Sequence, residues 1–167
     1  MEFIIRKVDY TNSRLIYRVL RTLCFLKSDY PDFFYWYTKK VVGGLMNDSR
    51  QIFIVAPADY GDTIAAVMIL KNCSDEKKVS TLCVMEQYRS LGLGTKLIEM
   101  AIRVLKTNKP VITVSNAHVE TFKGLLEKFG FEHYKEYPGY YRNGTSEHAY
   151  NGYLGCTDGK MCVEKAG

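Results

Sequence analysis

The residues best suited to chemistry are Arg89, Gly92, Gly94, Thr95 and Lys96, in the stretch Arg89-Ser90-Leu91-Gly92-Leu93-Gly94-Thr95-Lys96-Leu97. An apolar, strand-like run precedes them, and a helical repeat of apolar positions follows. A glycine turn that opens a helix presents backbone N–H groups with no partner inside the helix, at the positive end of its dipole, so the arrangement suits an anion. Without Cβ atoms, Gly92 and Gly94 let that anion come close to the backbone. Arg89 and Lys96 can add charge, and the Thr95 hydroxyl another donor. A dinucleotide-binding turn needs a third glycine where Leu97 stands, and a P-loop needs Gly-Lys followed by Ser or Thr, whereas Gly94 is followed by Thr95-Lys96. Both nucleotide motifs are excluded; a plain strand-to-helix turn is the alternative.

Other residues offer less. The five cysteines (24, 73, 83, 156 and 162) are odd in number and include no Cys-x-x-Cys pair, which points to reduced thiols and a cytoplasmic setting. Cys156, Cys162 and His148 lack the close pairing of a metal site, so no metal is expected. The net charge of +5, from 23 basic and 18 acidic residues, is spread without a block of like charges. It is compatible with a nucleic-acid partner but does not indicate one. The longest apolar run, residues 64–70, is far shorter than the ~20 residues of a membrane span. No membrane partner and no secretory leader are expected.

The elements that must position the glycine turn follow from periodicity. Strands are expected over 3–8, 51–56, 63–71, 77–84, 111–115, 131–137, 139–142 and 147–151, the last two joined at Asn143-Gly144 as a tight hairpin. Asn12 or Ser13 caps a helix carrying Leu15, Ile16, Val19, Leu20 and Leu23 on one face. A second helix opens at Pro31 and stops at Gly43-Gly44. The amphipathic run 94–107 is the clearest helix, and 119–129 is another, ended by Gly130. Helical crossovers demand parallel neighbours and hairpins antiparallel ones, so the sheet is mixed and the class is α/β (α+β). One domain is expected over 1–152, with a loose tail over 153–167.

Arg89-x-x-Gly92-x-Gly94, between a strand and an amphipathic helix, resembles motif A of the GNAT superfamily of acetyl-CoA-dependent N-acetyltransferases. The helix end Leu126-Glu127-Lys128-Phe129-Gly130-Phe131 resembles that superfamily's second motif, and the element order agrees over about nine-tenths of the chain. The resemblance implies a central mixed, mostly antiparallel sheet with splayed fourth and fifth strands, flanked by about four helices. It implies acetyl-CoA as cosubstrate, its pantetheine arm bonded to backbone groups of Leu82, Cys83 and Val84 as an added strand would be. The pyrophosphate would rest on the N–H groups of Leu91, Gly92, Leu93, Gly94 and Thr95, beside Arg89. The Val84 N–H would face the developing oxyanion. Asn116 and Phe122 are further candidates to touch the coenzyme.

Relatives often carry a tyrosine four residues before that glycine as general acid; here the position is Leu126, which cannot donate a proton. Tyr134, Tyr137, Tyr140 and Tyr141 are the available substitutes, Tyr141 preferred. Ser115 either holds a water that relays the acceptor's proton or caps the helix that follows. Residues 30–37, dense in aromatics, fall where such proteins build the acceptor groove. Asp32 could pair with a cationic acceptor and Phe33 or Trp36 stack on it, or the same residues could simply pack a helix. The function implied is direct transfer of acetyl to a primary amine of an amine-bearing acceptor, by a monomer or homodimer. The alternatives are a toxin acting on aminoacyl-tRNA and a non-catalytic CoA-binding regulatory module. Cys83 lacks a neighbouring base in the motif, so no covalent enzyme intermediate is expected.

Overall fold

In the computed structural model, residues 1–59 and 61–154 are described. Among the described residues seven strands form one sheet: β1 (Phe3–Lys7), β2 (Arg50–Pro57), β3 (Ala66–Asn72), β4 (Lys77–Val84), β5 (Val111–Ser115), β6 (His133–Pro138) and β7 (Ser146–Tyr150). Their order is β1-β2-β3-β4-β5-β7-β6, antiparallel throughout except for the parallel β4–β5 pair. The mixed, mostly antiparallel sheet matches the expectation from sequence.

Strands β2 and β3 are buried on both faces, which explains why they read as nearly continuous Ile, Val, Phe and Met rather than as alternating strands. Helix α1 (Ser13–Thr22) begins where the Asn12 side chain accepts the Leu15 N–H at 3.0 Å. With helix α2, over 33–44, it covers one face, packing Ile16, Val19, Leu23, Phe33, Tyr37 and Val41 on Ile52, Ile54, Val67 and Ile69. Helices α3 (Leu93–Leu105) and α4 (Val119–Lys128) cover the other, where Leu97, Ile98, Ala101 and Leu126 meet Val55, Met68 and Leu70. Burying each large aliphatic side chain contributes roughly 1.5–3 kcal/mol.

The structure departs from the sequence reading at three places. Helix α2 starts at Phe33, not Pro31, and its middle, Trp36–Val41, is π-helical. It ends at Gly44, where the sequence reading placed its stop. Strand β3 starts at Ala66, although the Ala65 N–H already bonds the Val55 carbonyl at 2.7 Å. Residues 139–142 are not a strand, and Asn143-Gly144 do not close a two-residue hairpin. The neck of a longer loop, 139–145, is tied by Gly139 N–H to Thr145 O at 2.7 Å, and inside it Thr145 N–H reaches back over Asn143-Gly144 to Arg142 O. Tyr140 and Tyr141 leave the sheet because their rings pack on one another and on Tyr137 and Tyr30.

Of the tail, only Tyr153 and Leu154 are described. Leu154 is buried and its N–H donates to the Tyr137 hydroxyl at 3.2 Å; Cys156 and Cys162 lie outside the described residues. Among the described residues no helix is long and apolar enough to cross a membrane, and no cluster of three metal-ligating side chains occurs.

Candidate active site

The site follows from a failure of pairing. β4 and β5 meet only at Lys78–Val111 and Val79–Ile112 and then diverge. The cause lies on the other edge of β4: its register with β3 slips between Ile69 and Leu70, so Ser80 has no partner. Such a bulge bends the strand that carries it, and it sits just where the pairing with β5 ends.

Beyond the bulge the ladder is regular. Met85 N–H bonds Ala65 O at 2.9 Å, so by alternation the peptide groups of Cys83 and Thr81 turn toward β3 and those of Leu82 and Val84 toward the gap. The expectation for a backbone edge over Leu82, Cys83 and Val84 therefore narrows to Leu82 and Val84. The Val84 carbonyl already accepts the Nε–H of Arg89 at 3.3 Å, which folds Arg89 back along the strand end. Gly92 caps α3 with φ +76°, in the left-handed region that suits glycine, and no side chain caps the helix's first N–H groups. A Cβ at Gly92 would meet nothing within 4 Å, and one at Gly94 only Leu125. Leu91 is exposed, Thr95 half-buried and Leu93 in the core, so Leu93 can offer only its backbone.

The gap opens into a cleft of about 1040 Å³, counting its mouth. Its floor carries Lys78, Thr113, Ser115 and Glu147, and its wall Tyr30, Phe33, Trp36, Phe122 and Tyr141. Glu147 is a residue that the sequence reading missed. It lies directly across from Ser115 in the β5–β7 register, 4% exposed. Burial pushes its carboxyl up to about 7, against the influence of Thr113 and Tyr30 hydrogen bonds and the Lys78 charge, which favour the ionised form. The Tyr30 hydroxyl donates to Glu147 Oε1 at 3.2 Å, and burial together with the Glu147 charge raises the phenol's own pKa, so it stays a donor.

Ser115 Oγ is buried and has no hydrogen-bond partner among the described residues; it does not cap the turn that follows, which removes the capping alternative. Of the four tyrosines weighed, Tyr134 is exposed on β6 and Tyr137 is committed to Leu154, while Tyr141 lines the cleft. Leu126 points into the core, and Phe122, one turn earlier, faces the cleft instead. Asn116 is exposed and bonded to His148 at 3.2 Å, outside the cleft lining. Within the aromatic run, Tyr37 is core, Phe33 is buried with one side on the cleft, and Trp36 and Asp32 reach the cleft. Burial pushes the Cys83 thiol up to about 11, too high for a thiolate nucleophile near neutrality.

A family model described as acetyltransferase (GNAT) domain matches residues 31–151. The chain is similar to N-alpha-acetyltransferase 30 of Schizosaccharomyces pombe, with 28% identity over 74 residues, 43% of this chain and 49% of that one. It thus spans about half the length of the curated relative it matches. Among solved structures it resembles a NatC complex bound to Gag peptide and CoA, with TM-score 0.70 and 17% identity over 90% of this chain and 97% of the other. It also resembles a structure described as a GNAT-family acetyltransferase of Desulfovibrio desulfuricans, with TM-score 0.67 and 14% identity over 89% and 97%. At such identities these two likenesses show a common fold.

Proposed function

The chain belongs to the GNAT acetyltransferase family, and from that premise we propose that it transfers acetyl from acetyl-CoA to a primary amine by direct attack. The observation that carries this reading is Glu147, a buried carboxyl near neutral pKa on the floor of a gap edged by the peptide groups of Leu82 and Val84, which turn away from β3.

The fit to acetyl-CoA is supported by the gap itself and by the open space at Gly92. Leu82 and Val84 would hold the pantetheine arm as a strand edge holds an added strand, and the N–H groups from Leu91 to Thr95 would hold the pyrophosphate beside Arg89. The thioester supplies an activated acetyl group. The Val84 N–H would stabilise the charge that develops on its carbonyl oxygen.

An amine is nucleophilic only when neutral. Glu147, with a pKa near 7, is suited to take its proton at working pH, and Tyr30 and Thr113 hold the carboxylate in place. The unpartnered Ser115 Oγ beside it is suited to hold a water that carries the proton onward. The amine nitrogen then bonds to the acetyl carbon and the carbon–sulfur bond breaks. A thiol of reference pKa about 8.5 is a tolerable leaving group, and Tyr141 is the cleft residue able to return a proton to it. Cys83 stays protonated, which supports direct transfer over an acyl-enzyme.

Isothermal titration with acetyl-CoA of the native chain and of Gly92→Asp/Gly94→Asp tests the coenzyme site. Binding by the native chain, lost in a variant of unchanged circular dichroism, is expected. Failure of the native chain to bind overturns the reading.

A further inference from the structure

We infer that the acceptor is an unhindered primary amine carried next to a bulky apolar group, free or at a chain end, and received end-on between Trp36 and the Tyr30–Tyr141 pair. This rests on the acetyl-transfer reading of the same cleft.

Three observations carry it. The first is the scarcity of negative charge: among the described residues lining the cleft only Asp32 and Glu147 are acidic, Asp32 exposed at the mouth and Glu147 buried on the floor. Each cationic group brought into a low-dielectric cleft needs its own partner. The floor therefore serves one amine; a second ammonium would have only Asp32 at the mouth, since Asp29 nearby is paired with His118 and Arg142, and a third would find no acid among the described lining residues.

The second is the positive charge on the same face. Arg50, Lys71 and Lys78 are cross-strand neighbours on β2, β3 and β4, all nearly fully buried, and Lys78 reaches the cleft lining. Lys71 is paired with Glu76 at 2.6 Å. Of the three only Lys78 lines the cleft, and its charge already acts on the Glu147 carboxylate, which a second ammonium would have to share.

The third is the closure of one side. The 139–145 loop is latched onto the segment before α2: Arg142 Nη1 donates to Ser28 O at 2.7 Å, and the Tyr141 ring stands edge-on to Tyr30 at 5.0 Å. This strap bridges the two sides of the cleft at one end, which favours an amine that enters by its end over a chain laid across it. Leu26, Pro31, Phe33 and Trp36 then offer an apolar wall to whatever group the amine is attached to. A primary amine beside a phenyl or isobutyl group places nitrogen at Glu147 and carbon against that wall.

The test compares initial rates of CoA release for 2-phenylethylamine, leucine amide, a Phe-initiated tetrapeptide amide, spermidine and an N-blocked peptide with one internal lysine, beside titration with acetyl-CoA. The apolar amines should exceed spermidine and the internal lysine at least tenfold in kcat/KM; the tetrapeptide against the free amines distinguishes a chain end from a small molecule. Trp36→Ala should raise KM for the best apolar amine by about 10-fold or more with little change in kcat, and Trp36→Phe should restore it, with acetyl-CoA binding unchanged in both. Preference for spermidine or the internal lysine, or no turnover of any apolar amine by protein that binds acetyl-CoA, overturns this inference while leaving the coenzyme site intact. Loss of acetyl-CoA binding by the native chain overturns both.

Discussion

Tyr30 and Glu147 are 117 residues apart in the chain, yet the phenol of one donates to the carboxylate of the other at 3.2 Å on the floor of the β4–β5 gap. Tyr30 lies just before α2 and Glu147 on β7, so the contact ties the acceptor wall to the far half of the sheet. It also keeps a buried acid ionisable near neutral pH rather than permanently protonated.

Replacing that acid should separate chemistry from binding. Glu147→Gln should lower kcat by roughly 10²–10⁴-fold, while acetyl-CoA affinity measured by titration stays the same. In the native enzyme kcat/KM should rise with pH through a midpoint near 7, where Glu147 loses its proton, and this limb should vanish in the variant. A flat profile for the native enzyme between pH 6 and 8 argues against Glu147 as base.

The same group should leave a mark on stability. Its folded pKa, about 7, lies above its unfolded value of 4.5. The folded state therefore holds the proton more tightly, and the stability that this provides is full below about pH 4.5 and lost as pH rises through 7. Glu147→Gln, which stays neutral, should be more stable than the native chain at pH 8 by at most about 3 kcal/mol, and the two should converge near pH 4.5. Thermal melts across that range measure it.

Tyr30→Phe removes a hydrogen bond that favours the ionised carboxylate. The midpoint of the kcat/KM profile should move upward in pH, in contrast to Glu147→Gln, which abolishes it. A downward shift would mean that the phenol acts on some other group.

Away from the cleft, Glu76→Ala removes the carboxylate that pairs with the buried Lys71 at 2.6 Å. Removing one member of a buried ion pair typically costs about 3–5 kcal/mol. Urea unfolding should show a lower midpoint with an unchanged slope.

Much of this was legible in order along the chain. The glycine turn, the Asn12 cap, the Gly130 stop and the strand before the turn are local features, each decided by a few adjacent residues and the backbone they allow. The splay of β4 from β5 came only through family resemblance; its local cause, the unpaired Ser80, needs the register with β3 to be seen. Glu147 was invisible for a stronger reason. It is one acid in a five-residue strand, and only the order β5-β7-β6 sets it opposite Ser115. An inward position shared with Ala149 was the one signal in the sequence. The Asn143-Gly144 pair misled because its turn is real, but the tyrosines before it find better packing against Tyr30 than a strand would give them.

The two halves of the cleft are written in different alphabets. In the proposed reading the donor half depends on peptide groups at Leu82, Val84 and the turn after Arg89, which almost any side chain at 82 and 84 would preserve. The acceptor half depends on side chains contributed by segments about residues 26–36 and 139–147, held together by the Arg142–Ser28 strap. If the proposed assignment holds, exchanges in those two segments would redirect which amine is taken without disturbing how acetyl is delivered, so new acceptors would be reachable by small steps through active intermediates.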